Sequence, residues 1–234
     1  MNPLSAHAWD VSTAEAVIIQ NDLAHKVRTE PLPSPVRVIA GMDVSYNRFS
    51  DLLFASIVVL SFPELEVLEI QNASRQTHFP YQSGFLSFRE APVLLEAFGQ
   101  LRQKVDLAFL DGQGIAHPRG LGIASHVGVL LDLPTIGVGK SKLFGQYTDP
   151  GPEAGDWSDL TYKGKILGAV LRTKRNVSCV YVSIGHRAVL ASAIELVMRC
   201  VRKHRIPEPT RLAHEAVNQF RREHSAGDSQ EDAS

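Results

Sequence analysis

Val105-Asp-Leu-Ala-Phe-Leu-Asp111-Gly-Gln-Gly-Ile-Ala-His117-Pro-Arg-Gly-Leu-Gly122-Ile-Ala-Ser-His126-Val-Gly-Val-Leu-Leu-Asp-Leu-Pro-Thr-Ile-Gly-Val-Gly-Lys140 decides the fold. It reads as a buried strand, a glycine-rich loop, an apolar helix and a second short strand. Asp111 stands where the first strand runs into Gly112 and Gly114, and Lys140 closes the second strand. Both therefore fall at carboxyl ends of strands, where open α/β sheets place their chemistry. Gly112, Gly114, Gly120 and Gly122 leave main-chain amides unshielded by side chains, so a flat or anionic ligand can approach closely. A lone Gly-x-Gly is more often a mere turn of the chain. An acid, a His-Pro-Arg and a lysine crowded into one loop mark this one as a site.

On the amino-terminal side, Ser12-Thr13-Ala14-Glu15 is a capping-box pattern, and Ile19, Leu23 and Val27 follow at helical spacing before Pro31, Pro33 and Pro35. Val36 to Tyr46 alternates as a strand, with Asp43 on the face opposite Met42 and Val44. Leu52 to Ser61 is a continuous apolar run, and Phe62-Pro63-Glu64 turns it into a further strand ending near Gln76, which predicts an antiparallel meander. Phe79 to Glu90 is an aromatic-rich loop entering a helix. Within it, Pro80, Tyr81 and Gly84 describe a projecting tip, whereas Phe85 and Phe88 read as packing residues. Glu90 is read as lying at the amino-terminal end of that helix, where the dipole favours an anion.

On the carboxyl side, Pro150 to Asp159 reads as a polar surface excursion. Lys165 to Thr173 and Val177 to Ile184 read as strands, Ala188 to Val201 as an amphipathic helix, and Pro207-Glu208-Pro209 introduces a last helix carrying His214. The expectation is one domain over residues 1–223 and a disordered tail over 224–234. Meander, helix, strand, helix, strand matches an α/β fold with a ribonuclease H-like mixed five-stranded sheet flanked by helices. In that topology the first and fourth strands are neighbours, which brings Asp43 and Asp111 together. Two carboxylates at that range repel unless a divalent cation lies between them, and Glu90 can complete the cluster. His117 and His126 suit no tetrahedral zinc pattern, so oxygen-ligated Mg²⁺ is expected, with Mn²⁺ as a substitute.

The chain has 234 residues, formal charge −1 and 44% apolar residues, enough for a substantial core. That charge argues against indiscriminate coating of nucleic acid. Cys179 and Cys200 form no disulfide framework, and neither a secretory leader nor a membrane-spanning run is read, so a cytoplasmic monomer is expected.

Val-Ile-Ala-Gly-Met-Asp43-Val, Pro-Tyr81, Gly-Phe-Leu-Ser-Phe-Arg-Glu90, Asp111-Gly-Gln-Gly-Ile-Ala-His117-Pro-Arg, Gly-Ile-Ala-Ser-His126, Pro-Thr-Ile-Gly-Val-Gly-Lys140 and Pro-Glu-Pro-Thr-Arg-Leu-Ala-His214 together resemble the endonuclease V family of deoxyinosine 3′ endonucleases. The resemblance implies hydrolysis of the second phosphodiester bond 3′ to inosine, with inosine-containing DNA as the partner and RNA as the alternative. It carries metal binding onto Asp43, Asp111 and Glu90, an active-site lysine onto Lys140 and a water-organising role onto His214. Tyr81 matches the aromatic of a wedge that enters the strand at the damaged base. Pro80, Gly84, Gly112, Gly114, His117 and Gly122 are expected to line the substrate. Two departures stand out: Gln82 follows Tyr81 where an aliphatic residue is usual, and Gly139 replaces an alanine. The rival readings are a binding module that has lost catalysis, a phosphatase of small esters, and an inosine-specific ribonuclease.

Overall fold

The meander expected from the sequence is the first part of a larger sheet. The structure, a computed structural model, describes residues 3–225. After a 3-10 turn at Pro3–Ser5, helix α1 (Thr13–Ala24) starts on the capping box: the Ser12 side chain accepts from Glu15 N, and the Glu15 carboxylate accepts from Ser12 N at 2.8 Å. Its buried residues are Ala16, Gln20 and Leu23; Ile19 is partly buried, and Val27 lies beyond the helix, which ends at Ala24. Strands β1 (Val38–Tyr46), β2 (Leu52–Ser61) and β3 (Val67–Gln76) form the antiparallel meander, followed by α2 (Leu86–Phe98). Next come β4 (Leu107–Leu110), α3 (Ile123–Leu131) and β5 (Thr135–Gly139), with β4 parallel to both β1 and β5.

The sheet continues past β5 through β6 (Trp157–Tyr162), β7 (Lys165–Leu171) and β8 (Val180–His186), giving the order β3-β2-β1-β4-β5-β8-β7-β6. The expected five-stranded core is present, and three antiparallel strands extend it to eight. The extension has a physical cause. Ile136 and Val138 on β5 are fully apolar and gain burial from Val182 and Ile184 on the neighbouring β8. The polar excursion after Pro150 accordingly ends in a strand, β6.

Helices α4 (Leu190–Cys200) and α5 (Glu208–Ser225) cover one face, where Ala193, Val197 and Ala213 join Ile39, Val58 and Phe109. Helices α2 and α3 cover the other, where Leu94 and Val127 join Met42, Ile57 and Leu110. Strand β2 is buried on both faces, which is why its sequence is apolar between Leu52 and Leu60 apart from Ser56. His224 and Ser225 belong to the last turn of α5, and the remainder of the expected tail, 226–234, lies outside the described residues. Among the described residues no helix is long and apolar enough to cross a membrane.

One glycine sets the distance on which the site depends. A Cβ on Gly41 would lie 1.8 Å from the Pro209 carbonyl oxygen, so the start of α5 rests directly on the backbone of β1. That close approach lets His214, little more than a turn along α5, reach Asp43 two residues along β1.

Candidate active site

Parallel pairing of Met42 with Leu110 puts the next residues, Asp43 and Asp111, side by side, and Asp111 N donates to Met42 O at 3.2 Å. Asp43 points to the α5 face, where its Oδ2 lies 2.7 Å from His214 Nδ1 while Oδ1 accepts from Val44 N at 2.8 Å. Asn218, one turn further along α5, fixes the imidazole through its amide nitrogen, 3.1 Å from Nε2, and accepts from Ser45 Oγ at 2.9 Å. Lys140 Nζ donates to Asp111 Oδ2. Among the described residues, ligand atoms of Asp43, Asp111 and His214 lie within 4.8 Å of one another.

The electrostatics follow from this crowding. Burial, and then the charge of Asp43, raise the Asp111 carboxyl above its ordinary range, with Lys140 opposing. Glu90 on α2 is buried, and desolvation together with Asp43 and Asp111 pushes it well above the usual carboxylate range. The hydrogen bond to Asp43 holds His214 above its ordinary value. Two carboxylates within 4.8 Å of each other repel by roughly 3–4 kcal/mol or more at an effective dielectric of about 20. Among the described residues Lys140 pairs with Asp111, and His214 with Asp43. The donors of the converging set are carboxylate oxygens with one imidazole. That set fits a hard divalent cation better than tetrahedral zinc.

The sequence reading placed Glu90 among the metal ligands and His214 in a water-organising role; in the structure His214 joins the converging set of Asp43 and Asp111, and Glu90 is not part of it. Glu90 is also the fifth residue of α2, beyond the first turn, so its burial and then the two facing acids, rather than the helix dipole, set its environment.

Beside the acids opens a cleft of about 370 Å³, to which Asp111 and Lys140 both contribute. Tyr81, Gly84, Gly112, His117 and Gly122 line it, whereas Pro80 and Gly114 do not. Tyr81 projects from its loop at 69% exposure.

The glycines serve the fold more than they serve an open main chain. A Cβ on Gly114 would sit 1.9 Å from Ile184 O and one on Gly122 2.2 Å from Gln113 O, while Gly114 N donates to Ser183 Oγ at 2.8 Å and Gly122 N to Gly114 O at 3.0 Å. Those two amides are thus spent inside the protein. His117 is likewise committed. Its Nε2 lies 2.9 Å from Gly84 O and its Nδ1 accepts from Arg119 N at 3.2 Å, and burial lowers it to about 4, so it is neutral. His126 is buried against Ser87 and His7 and takes no part in the acidic cluster.

Two residues were not singled out from sequence. Gln113 lines the cleft and donates through Nε2 to Ser141 O at 3.0 Å, while its buried Oε1 has no protein partner. Arg89 is buried beneath the Tyr81 loop and donates to Phe79 O at 2.8 Å and Ser50 O at 2.7 Å. A buried arginine beside a buried glutamate was the available signal.

The family model for Endonuclease V matches residues 21–215. Endonuclease V of a Nostoc species is 49% identical over 208 residues, covering 88% of this chain and 94% of the relative. The crystal structure of Endonuclease V from Streptomyces avermitilis superposes with a TM-score of 0.89 at 38% identity, covering 93% of this chain and 96% of that one. Ciona intestinalis Endonuclease V, in complex with a 23mer DNA containing an inosine followed by a ribo-adenosine, superposes with a TM-score of 0.80 at 28% identity, covering 91% and 99%. With a family match across most of the chain, and relatives alike in both sequence and fold, the chain belongs to the Endonuclease V family of deoxyribonucleases.

Proposed function

We propose that this chain is a Mg²⁺-dependent endonuclease that takes an inosine base into the cleft beside Asp111 and hydrolyses the second phosphodiester bond 3′ to it, initiating DNA repair. The observation that carries the reading is shared membership: Asp111 and Lys140 belong both to the charged cluster and to the cleft wall. A base held in the cleft leaves its backbone beside the acids.

Asp43, Asp111 and His214 would hold the ion, Mg²⁺ or Mn²⁺ in its place. A divalent cation held by these residues would supply charge neutralisation for a phosphate and acidify a water. The remaining work belongs to the protein's own side chains. Lys140, a cation oriented by Asp111, sits where it can hold a phosphate oxygen. Glu90, whose carboxyl burial and then the charges of Asp43 and Asp111 hold well above its usual range, faces the two acids from α2.

Hypoxanthine offers an O6 acceptor and an N1–H donor where adenine offers the reverse. Gln113 lines the cleft, and its side-chain amide carries an acceptor and a donor of the kinds these two groups need. Tyr81 is exposed and free to stack in the gap that the extruded base leaves, offsetting part of a flipping cost of a few kcal/mol. We further propose a monomer acting in the cytoplasm; Cys179 and Cys200 are free thiols, as a reducing compartment favours.

The test is strand cleavage of end-labelled DNA and RNA of one sequence, with inosine or adenosine at one position, in Mg²⁺ and in excess chelator. Cutting confined to the inosine strand in Mg²⁺ supports the reading, and the DNA-to-RNA ratio decides the ribonuclease alternative. Cutting in chelator, or equal cutting of the adenosine strand, overturns it.

A further inference from the structure

The loop that carries Tyr81 is fastened from behind by chain that precedes the family-model match, which starts at residue 21. Phe79, Phe85 and Phe88 are buried, yet the core they join is neither of the two sheet-face cores. It is a satellite cluster completed by Ala16, with Trp9, Val11, Val17 and Ile19 packed against it.

Polar ties run the same way. Gln20 Nε2 donates to Gly84 O at 3.0 Å, and Gln20 Oε1 accepts from Arg119 Nε, whose guanidinium also donates to Gly84 O at 2.6 Å. Thr13 Oγ1 donates to Gln82 Oε1 at 3.3 Å.

A third tie passes through two imidazoles. His7 Nδ1 lies 2.7 Å from Ala8 O, which only accepts, so Nδ1 carries the proton and Nε2 is the acceptor. His126 Nε2, at 2.8 Å, must then donate to it, leaving His126 Nδ1 to accept from Ser87 Oγ at 2.9 Å. One neutral proton order satisfies the whole chain, and burial lowers both histidines toward neutrality. Trp9 stacks on His126 with ring centroids 5.2 Å apart. Gly84 and Ser87, where these ties end, both line the cleft.

We infer that residues 7–20 are a positioning element: through Thr13, Gln20 and the His7–His126–Ser87 chain they hold the recognition loop, residues 79–88, in the geometry that reads the base. The inference rests on the proposed inosine reading of that cleft. None of residues 7–20 lines the cleft or belongs to the acidic cluster, so any effect on recognition must pass through the loop. A loop left loose samples conformations that do not bind, and apparent affinity falls by the fraction of time spent in them.

The test compares Gln20→Leu, Trp9→Ala and the control Ile18→Ala, which alters an exposed side chain of the same helix. Three quantities are measured on the full chain: KM for an inosine oligonucleotide, its ratio to the adenosine oligonucleotide, and the single-turnover rate at saturation. Gln20→Leu removes two hydrogen bonds and is expected to raise KM for inosine about tenfold, and to lower the inosine-to-adenosine preference by a similar factor. The saturated rate and the Mg²⁺-induced rise in melting temperature should match the parent, and Ile18→Ala should change nothing. If Trp9→Ala fails to fold, Gln20→Leu, which removes little apolar volume, carries the test alone. A preference that survives Gln20→Leu overturns the inference, as does a fall in saturated rate at unchanged KM. Absence of inosine preference in the parent overturns the functional reading and the inference with it.

Discussion

Replacing Asp111 by asparagine should stabilise the metal-free protein while destroying its activity. The structure gives the magnitude. In the folded chain Asp111 faces Asp43 within 4.8 Å, a repulsion of roughly 3–4 kcal/mol at an effective dielectric of about 20. The substitution also removes the pairing of Lys140 with Asp111, a bridge exposed on its lysine side and worth about 1 kcal/mol or less. The net expectation is about 2 kcal/mol of stabilisation without metal, or about 4–8 °C in melting temperature for a chain of this size. The assay is thermal unfolding in chelator and in Mg²⁺, beside cleavage of an inosine oligonucleotide. The parent should rise in melting temperature with Mg²⁺, because binding to the folded state alone stabilises it. Asp111→Asn should start higher, respond little to Mg²⁺ and cut at background rate. A variant that melts several degrees below the parent in chelator would show that Asp111 is a structural residue satisfied by Lys140, and the metal-site reasoning would fail.

Asp43→Asn should likewise abolish cleavage, but without the gain in stability, because it removes the partner of His214; equal melting gains in both variants would contradict that asymmetry. Lys140→Ala and Glu90→Gln should lower the single-turnover rate more than affinity, and a loss confined to binding would count against their placement at the phosphate. Tyr81→Ala should lose about 1–3 kcal/mol of stacking, roughly five- to 150-fold in affinity for inosine DNA, at unchanged melting temperature, with Tyr81→Phe recovering most of it. The pH dependence has a defined sign. His117, lowered to about 4, is neutral in the fold, so the stability it contributes is full above its unfolded value near 6.5 and is lost as pH falls below that. Urea unfolding at about pH 7.5 and about pH 5 should show about 2 kcal/mol less acid loss in His117→Gln than in the parent. Parallel acid limbs would disprove it.

Strand and helix placement along most of the chain was legible because burial imposes its period directly. Two-sided burial wrote an almost wholly apolar run into β2, and the capping box wrote the start of α1. Asp43 and Asp111 were legible as a pair for a similar reason: a meander followed by a parallel crossover leaves few places for the fourth strand, and beside the first is the favoured one.

The sequence by itself determined which residues carry charge at strand ends, that an acid sits within an apolar strand, and the motif order by which the family is recognised. Only tertiary structure decided how those charges are shared. His214 joins the acids because Gly41 lets α5 lie against β1, a contact between residues far apart in the chain and invisible to local periodicity. The Glu90 carboxyl is pushed upward first by its burial and then by acids on two other elements, and Gly114 and Gly122 of the central loop prove to be packing glycines because Ile184 and Gln113 press on them. Local pattern reports which face of an element is buried. What that face meets depends on register and close approach, and those are settled only when the whole chain has folded.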